Sequence, residues 1–282
     1  MNVDGQLLRV GVMRVATNAT PLLLFNGIGA NLELLLPFVQ AMRDVGVATI
    51  AFDVPGAGGS PASTFPYRYT KIARLGLGVV DRLGFAGPVD ALGISWGGGA
   101  AQEFAHQFPE RCRRLILAAT SAGAVMVPGR WSAISLLISP RRYKDPEFMA
   151  EVGGTLYGGT LRHDKAQLQE HSRHFKPPHG RGYLYQLLST VGWTSVLWLR
   201  RLKQPTLVMM GTNDPIVPLI NGRFLAAIIP HAQLFTRDDG HLFLLSRSKE
   251  VATKIRDYLA EDDARVPMAV AQSSRLGLTQ KR

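Results

Sequence analysis

The chain has 282 residues, 46% of them hydrophobic and 19% charged, with a mean hydropathy of +0.05, which excludes both a disordered and a membrane-embedded protein. Its only cysteine is Cys112, so no internal disulfide and no cysteine-based zinc site is possible, in agreement with a reducing compartment. The formal charge of +11 is concentrated, with −1 over residues 1–60, 0 over 61–110, +10 over 111–204 and +2 over 205–282, and no zinc-finger spacing, RNP-like run or helix-turn-helix signal accompanies it, so nucleic acid is not an expected partner.

The N-terminus, "MNVDGQLLRVGV", lacks a basic start followed by an apolar stretch and a small-residue cleavage site, so no signal peptide is expected and the protein is placed in the cytoplasm. Within it, "LLRVGVMRVA" is a candidate antiparallel hairpin arm. Short apolar runs then alternate with amphipathic ones, the signature of βα units around a mostly parallel sheet. Strands are expected at 21–27, 47–54, 89–95, 113–120, 205–212 and 232–239, most of them continuously apolar, as strands covered on both faces are. Helical patterning covers 32–44, 67–84, 96–108, 221–229 and 248–260. The most apolar window, "PLLLFNGIGANLELLLPFV", is interrupted by Asn26, Gly27, Asn31 and Glu33, which are costly in lipid, so no transmembrane segment is expected.

The alternation lapses over 121–204, where helix-like pieces are separated by "PGR", "SPRRYKDP", "YGG" and "KPPHGRG". This stretch is expected to be an inserted, mainly helical cap, and it holds nine of the 23 aromatic residues, among them Trp131, Trp193 and Trp198. The expected organisation is therefore an α/β core formed by 1–120 and 205–262, a cap at 121–204 and a flexible C-terminal tail at 263–282.

Gly93-Ile94-Ser95-Trp96-Gly97 ends one expected strand and opens the next expected helix. A Gly-x-Ser-x-Gly pentapeptide in that context is the pattern of a nucleophile elbow, in which flanking glycines let strand and helix approach around a strained serine. The bland alternative is a glycine-rich turn whose serine caps the helix. A serine hydroxyl needs a base to take its proton and the base needs an orienting acid, in the chain order serine, acid, histidine. Asp214, in "GTNDPIVP", and His241, in "DDGHLFLL", each follow an expected strand and so come to the same sheet edge as Ser95. Asp238 and Asp239 are rivals for the acid but are expected to shape the histidine's turn, while His106, His163, His171, His174, His179 and His231 are expected to be surface or packing residues.

Acyl transfer also needs donors for a developing oxyanion, and the backbone N–H groups of Trp96 and Ile28 are the candidates. Asp53, in "DVPGAGGSP", is expected to be structural. Asn26, Trp131 and Trp193 are candidate substrate-binding residues, and the chemistry calls for neither a metal nor a cofactor.

Taken together, "LLLFNGIGANLELLLPF", "IAFDVPGAGGS", "GISWGGGAAQEFAHQFPERCRRLILAATSAGAVMVPG", "SPRRY", "GWTSVLWL" and "QPTLVMMGTNDPIVPLINGRFLAAIIPHAQL" through "DDGHLFL" resemble the α/β-hydrolase family, and more narrowly its intracellular poly(3-hydroxyalkanoate) depolymerases acting on medium-chain-length polyester. The resemblance covers most of 20–260 and weakens over 160–183. It implies an α/β-hydrolase fold, with a mostly parallel central sheet flanked by helices and the cap inserted before the acid-bearing strand. It also implies a serine hydrolase that releases 3-hydroxy acids through an acyl-enzyme, with Ser95 as nucleophile, His241 as general base and acid, and Asp214 as orienting carboxylate, working at the surface of storage granules. A general carboxylesterase or thioesterase on the same fold is the enzymatic alternative, and a non-catalytic granule-surface protein the alternative of another class.

Overall fold

The computed structural model describes residues 1–16, 20–139, 141 and 145–261. The C-terminal stretch 263–282, expected to be a tail, and Arg142 lie outside the described residues.

Strands β3 (Val10–Met13), β4 (Leu22–Phe25), β5 (Thr49–Phe52), β6 (Val89–Ile94), β7 (Cys112–Ala118), β8 (Thr206–Gly211) and β9 (Ala232–Arg237) form one sheet in the order β3-β5-β4-β6-β7-β8-β9. Every pairing is parallel except β3 with β5. The expected strands all form, each ending one or two residues before its expected end. The arm near the N-terminus departs from expectation: Val10–Met13 pairs antiparallel with β5, which is distant in sequence, while a separate two-stranded hairpin joins β1 (Asn2–Val3) to β2 (Gln6–Leu7) across Asp4 and Gly5, both at positive φ. Two adjacent positive-φ residues are what a tight hairpin turn requires.

The continuous apolar runs follow from burial of both sheet faces. Along β4, Leu22 and Leu24 enter one core with Phe38, Met42, Phe243 and Tyr258, whereas Leu23 and Phe25 enter the other with Phe52, Ile72 and Phe104. The first core is closed by α1 (Leu36–Asp44), α9 (Phe243–Ser246) and α10 (Ser248–Leu259), the second by α2 (Tyr69–Arg82), α3 (Trp96–Gln107) and α8 (Leu219–Ile228). Each fully buried Leu or Phe contributes about 1.5–3 kcal/mol, so either face alone outweighs any single polar interaction in the fold.

Strands β7 and β8 are hydrogen-bonded neighbours, yet residues 119–205 lie between them in the chain. This segment carries α4 (Trp131–Ile138), α5 (Pro146–Tyr157), α6 (Lys165–Arg173) and α7 (Gly182–Thr190). Its helix starts are set locally: the Asp145 carboxylate accepts from Phe148 N–H at 2.9 Å with Pro146 at the first helical position, and Asp164 accepts from Gln167 N–H at 2.8 Å. Its two ends are tied together by the Gly123–Thr194 bridge and by Ala124 N–H donating to the Trp193 carbonyl at 2.7 Å.

Successive strands run from β4 to one side as β5 and then return to the other as β6. This reversal opens a crevice at the carboxyl ends of β4 and β6, the place where open α/β sheets bind their ligands.

Candidate active site

Ser95 stands at the carboxyl end of β6, one residue before α3, with φ 54° and ψ −119°. That conformation is costly for a residue with a Cβ and is held by its surroundings. Ser95 N–H donates to the Ala118 carbonyl at 2.8 Å, and the Ser95 carbonyl accepts from Gly98 N–H at 2.9 Å and from the Thr120 hydroxyl at 2.7 Å. The following Gly97 is required by close approach: a Cβ there would run into the carbonyl oxygens of Phe25 and Asn26. The glycine is what lets α3 start directly against the end of β4.

Asp214 lies in the turn after β8, and His241 lies between β9 and α9. His241 Nε2 is 3.0 Å from Ser95 Oγ, and His241 Nδ1 is 2.7 Å from Asp214 Oδ2. The other oxygen of Asp214 accepts from the N–H groups of Ile216 and Val217 at 2.8 and 2.9 Å, which fixes the carboxylate plane. Since a carboxylate only accepts, the imidazole proton belongs on Nδ1, and Nε2 is left to accept from the serine hydroxyl. Asp214 and His241 are 7% and 5% exposed, so this chain of hydrogen bonds works largely out of water. His241 N–H also donates to the Tyr157 carbonyl at 2.7 Å, tying the histidine loop to α5.

The serine opens into a cavity with about 630 Å³ of empty space, part of it open to solvent at the mouth. Leu34, Leu137, Tyr157, Phe175 and Leu242 give it a mostly apolar wall, and His171 also lines it. His171, expected at the surface or in packing, packs its ring edge-on against Tyr157 and Phe175 and in doing so forms part of the cavity wall. Asn26 and Ile28 line the cavity as well. Both polar groups of Asn26 are engaged within its own loop, Oδ1 accepting from Gly27 N–H at 2.8 Å and Nδ2 donating to the Asn31 carbonyl at 3.2 Å.

Trp131 and Trp193, expected at the substrate, are absent from the cavity wall. Trp131 opens α4 and is 78% exposed. Trp193 packs its ring against Tyr69 and Trp198, and its indole N–H donates to Glu103 at 2.8 Å. Aromatic content alone does not say which way a ring faces.

Asp53 is turned to the loops beside the site: its carboxylate accepts from Leu32 N–H at 2.8 Å and Gly59 N–H at 2.7 Å, and burial, partly offset by those donors and Arg9, raises its pKa. Among the described residues no cluster of three or more His, Cys, Asp or Glu is arranged to hold a metal ion. No helix among them is long and apolar enough to cross a membrane.

A family model for the alpha/beta hydrolase fold matches residues 20–248. A poly(3-hydroxyalkanoate) depolymerase of Ectopseudomonas oleovorans is 47% identical over 268 residues, covering 95% of this chain and 94% of that protein. A 2-hydroxymuconate semialdehyde hydrolase of Pseudomonas putida is 30% identical over 209 residues, covering 70% of this chain and 71% of its own. Among solved structures, the enol-lactonase of Burkholderia xenovorans LB400 superposes with a TM-score of 0.78 at 22% identity, covering 92% of this chain and 98% of the lactonase.

Proposed function

The chain belongs to the alpha/beta hydrolase family and is an ester hydrolase, and from that premise we propose that it cleaves intracellular medium-chain-length poly(3-hydroxyalkanoate) to 3-hydroxy acids with Ser95, His241 and Asp214 as its catalytic residues. The observation that carries the catalytic assignment is the unbroken hydrogen-bonded relay from Ser95 Oγ through His241 to Asp214, facing an apolar cavity. The polyester follows from the 47% identical depolymerase.

In the proposed mechanism Ser95 Oγ attacks the ester carbonyl while His241 Nε2 takes its proton, and Asp214 stabilises the imidazolium that results. The oxyanion is received by the backbone N–H groups of Ile28 and Trp96. Trp96 is the first residue of α3, where an N–H has no partner one turn back, and Ile28 lines the cavity beside Ser95. Collapse of the intermediate breaks the C–O bond, and His241 returns the proton to the departing hydroxyl end of the chain. Water activated by His241 then attacks the acyl-enzyme, releases the 3-hydroxy acid and restores Ser95.

Residues 121–204 act in this reading as a cap whose apolar wall receives the alkyl side chain of the acyl unit. Its outer surface supports docking on a granule: Leu184 and Leu188 lie one turn apart on the exposed side of α7 with exposed Val191 just past its end, Trp131 and Ile138 are exposed on α4, and Leu197 lies beyond. With the net +7 of residues 121–204, 12 Lys and Arg against 5 Asp and Glu, this suits a polyester granule coated with anionic material.

The test is to incubate the purified protein with medium-chain and short-chain granules in parallel and identify the acids released. Medium-chain 3-hydroxy acids are expected from the first and little from the second. Hydrolysis of simple esters with neither polymer attacked would instead favour a general carboxylesterase.

A further inference from the structure

Gln186 belongs to α7, far in sequence from the catalytic loops, and is fully buried. Its Oε1 accepts from Gly29 N–H at 2.7 Å across 157 residues of chain, and its backbone carbonyl accepts from the Trp96 indole N–H at 3.0 Å. The same indole N–H reaches the Ser189 hydroxyl at 3.1 Å, and that hydroxyl donates to the Gln186 carbonyl at 2.6 Å. One residue of the inserted segment therefore grips both loops that flank the attacked carbonyl. The grip is close, for α7 begins at Gly182, where a Cβ would collide with the backbone of Gly56.

We infer that Gln186 is a positioning residue that sets the oxyanion hole by holding the Ile28 loop and Trp96 at one fixed separation. The inference rests on the assignment of Ile28 and Trp96 as oxyanion donors. The donor on the first loop is the N–H of the Gly27–Ile28 peptide. Asn26 Oδ1 fixes the peptide before it through Gly27 N–H, Ala30 N–H donates to its own carbonyl at 3.2 Å, and Gln186 fixes the peptide after it through Gly29 N–H. Two of these three restraints come from within the loop, and the third comes from α7. Gly29 sits at φ 67°, so without that third bond the Ile28–Gly29 peptide is free to turn at a residue with little conformational preference. On the other loop, the indole anchors the side chain of the residue whose backbone N–H is the second donor. Preorganisation of this kind acts on the transition state, because the oxyanion exists only there.

Gln186→Met keeps the length and bulk of the side chain and removes the acceptor for Gly29 N–H. It should lower kcat on a soluble octanoyl ester by about 10- to 100-fold, less than or comparable to loss of an oxyanion donor, with KM little changed. An alkyl trifluoromethyl ketone, whose adduct with Ser95 places its oxygen in the same hole, should weaken by a similar factor, while octanoate, a ground-state occupant of the cavity, should bind as before. Trp96→Phe, which loses the indole N–H but keeps the backbone donor, should show the same split and decides the matter if the Met variant does not fold. Unchanged kcat and ketone affinity in either folded variant, or equal weakening of ketone and octanoate, would overturn the inference. The underlying assignment of the nucleophile fails separately, by retention of turnover and ketone adduct in Ser95→Ala.

Discussion

Asp239 stands two residues before His241 and binds Thr160 instead of the imidazole. Its Oδ1 accepts from the Thr160 N–H at 2.9 Å and hydroxyl at 3.0 Å and from Gly240 N–H at 2.7 Å, and its Oδ2 accepts from the Ser246 hydroxyl at 2.6 Å. Burial disfavours its charged form, but these donors outweigh burial and hold its pKa below the ordinary value. The carboxylate nearest the histidine in sequence thus joins the histidine loop to the segment after α5, and the carboxylate 27 residues away meets the imidazole.

Substitution of the two acids should separate these roles. Asp214→Asn takes the acceptor from Nδ1–H and favours the wrong tautomer, so kcat should fall by about 10⁴-fold with the fold intact. Asp239→Asn should leave kcat near that of the wild type and lower the unfolding free energy by about 1–3 kcal/mol, through lost hydrogen bonds to a buried carboxylate. Kinetics and denaturant titration on both variants check this. The reverse ranking of kcat would move the acid to the histidine loop.

Acid should weaken the tie between the Asn31–Glu33 loop and the segment after α6. Glu33 accepts from Lys176 at 2.5 Å, Asn31 at 2.6 Å and Arg9 at 2.8 Å, and Asn31 also donates to the His174 carbonyl at 3.0 Å. Burial raises the Glu33 pKa, but the hydrogen bonds from Lys176, Asn31 and Arg9 more than offset it and bring it to about 2, from 4.5. The unfolded chain therefore binds the proton more readily. The stabilisation is complete above about pH 5 and is lost as pH falls from about 4.5 toward 2. Because Arg9 and Lys176 are largely exposed, the contribution is about 1 kcal/mol or less. Melting temperatures of wild type and Glu33→Gln should differ at pH 7 and converge near pH 2. A constant difference across that range would contradict the assignment.

Granule docking should depend on the outer face of the helical segment and not on the catalytic relay. Leu184→Ser with Leu188→Ser, and separately Arg200→Gln with Arg201→Gln, should reduce sedimentation with native granules several-fold while hydrolysis of a soluble p-nitrophenyl ester stays near normal. The arginine effect should be largest at low salt and fade near 1 M, where the screening length is about 3 Å. Salt-insensitive binding that survives both double substitutions would remove this surface from the account.

The parts of the site legible in the sequence are those that local chemistry dictates. Ser95 announces itself because its strained turn needs glycines at 93 and 97, and Asp214 and His241 because each follows an apolar strand in the required order. The continuous apolar runs located β4 to β8, since a strand covered on both faces has no alternation to hide, whereas β9 at the sheet edge is mixed in sequence and only partly buried. What escaped was set by distant contacts. That β3 would pair with β5 was beyond local patterning, as was the place of His171 in the cavity wall, and nothing near Gln186 in the chain marks it as a partner of Gly29. Trp131 and Trp193 show the same limit from the other side, one facing solvent and one half-buried against Tyr69, with no local signal separating them.

The central claim is that Ser95 carries the acyl group, and intact-protein mass spectrometry tests it directly. The wild type treated with a fluorophosphonate should gain one adduct, mapped to the peptide containing Ser95, and lose activity in proportion. Ser95→Ala should remain folded, gain no adduct and hydrolyse a soluble 3-hydroxyoctanoyl ester about 10³-fold or more slowly. Near-wild-type turnover by Ser95→Ala, or an adduct that forms at another residue as activity disappears, would contradict it.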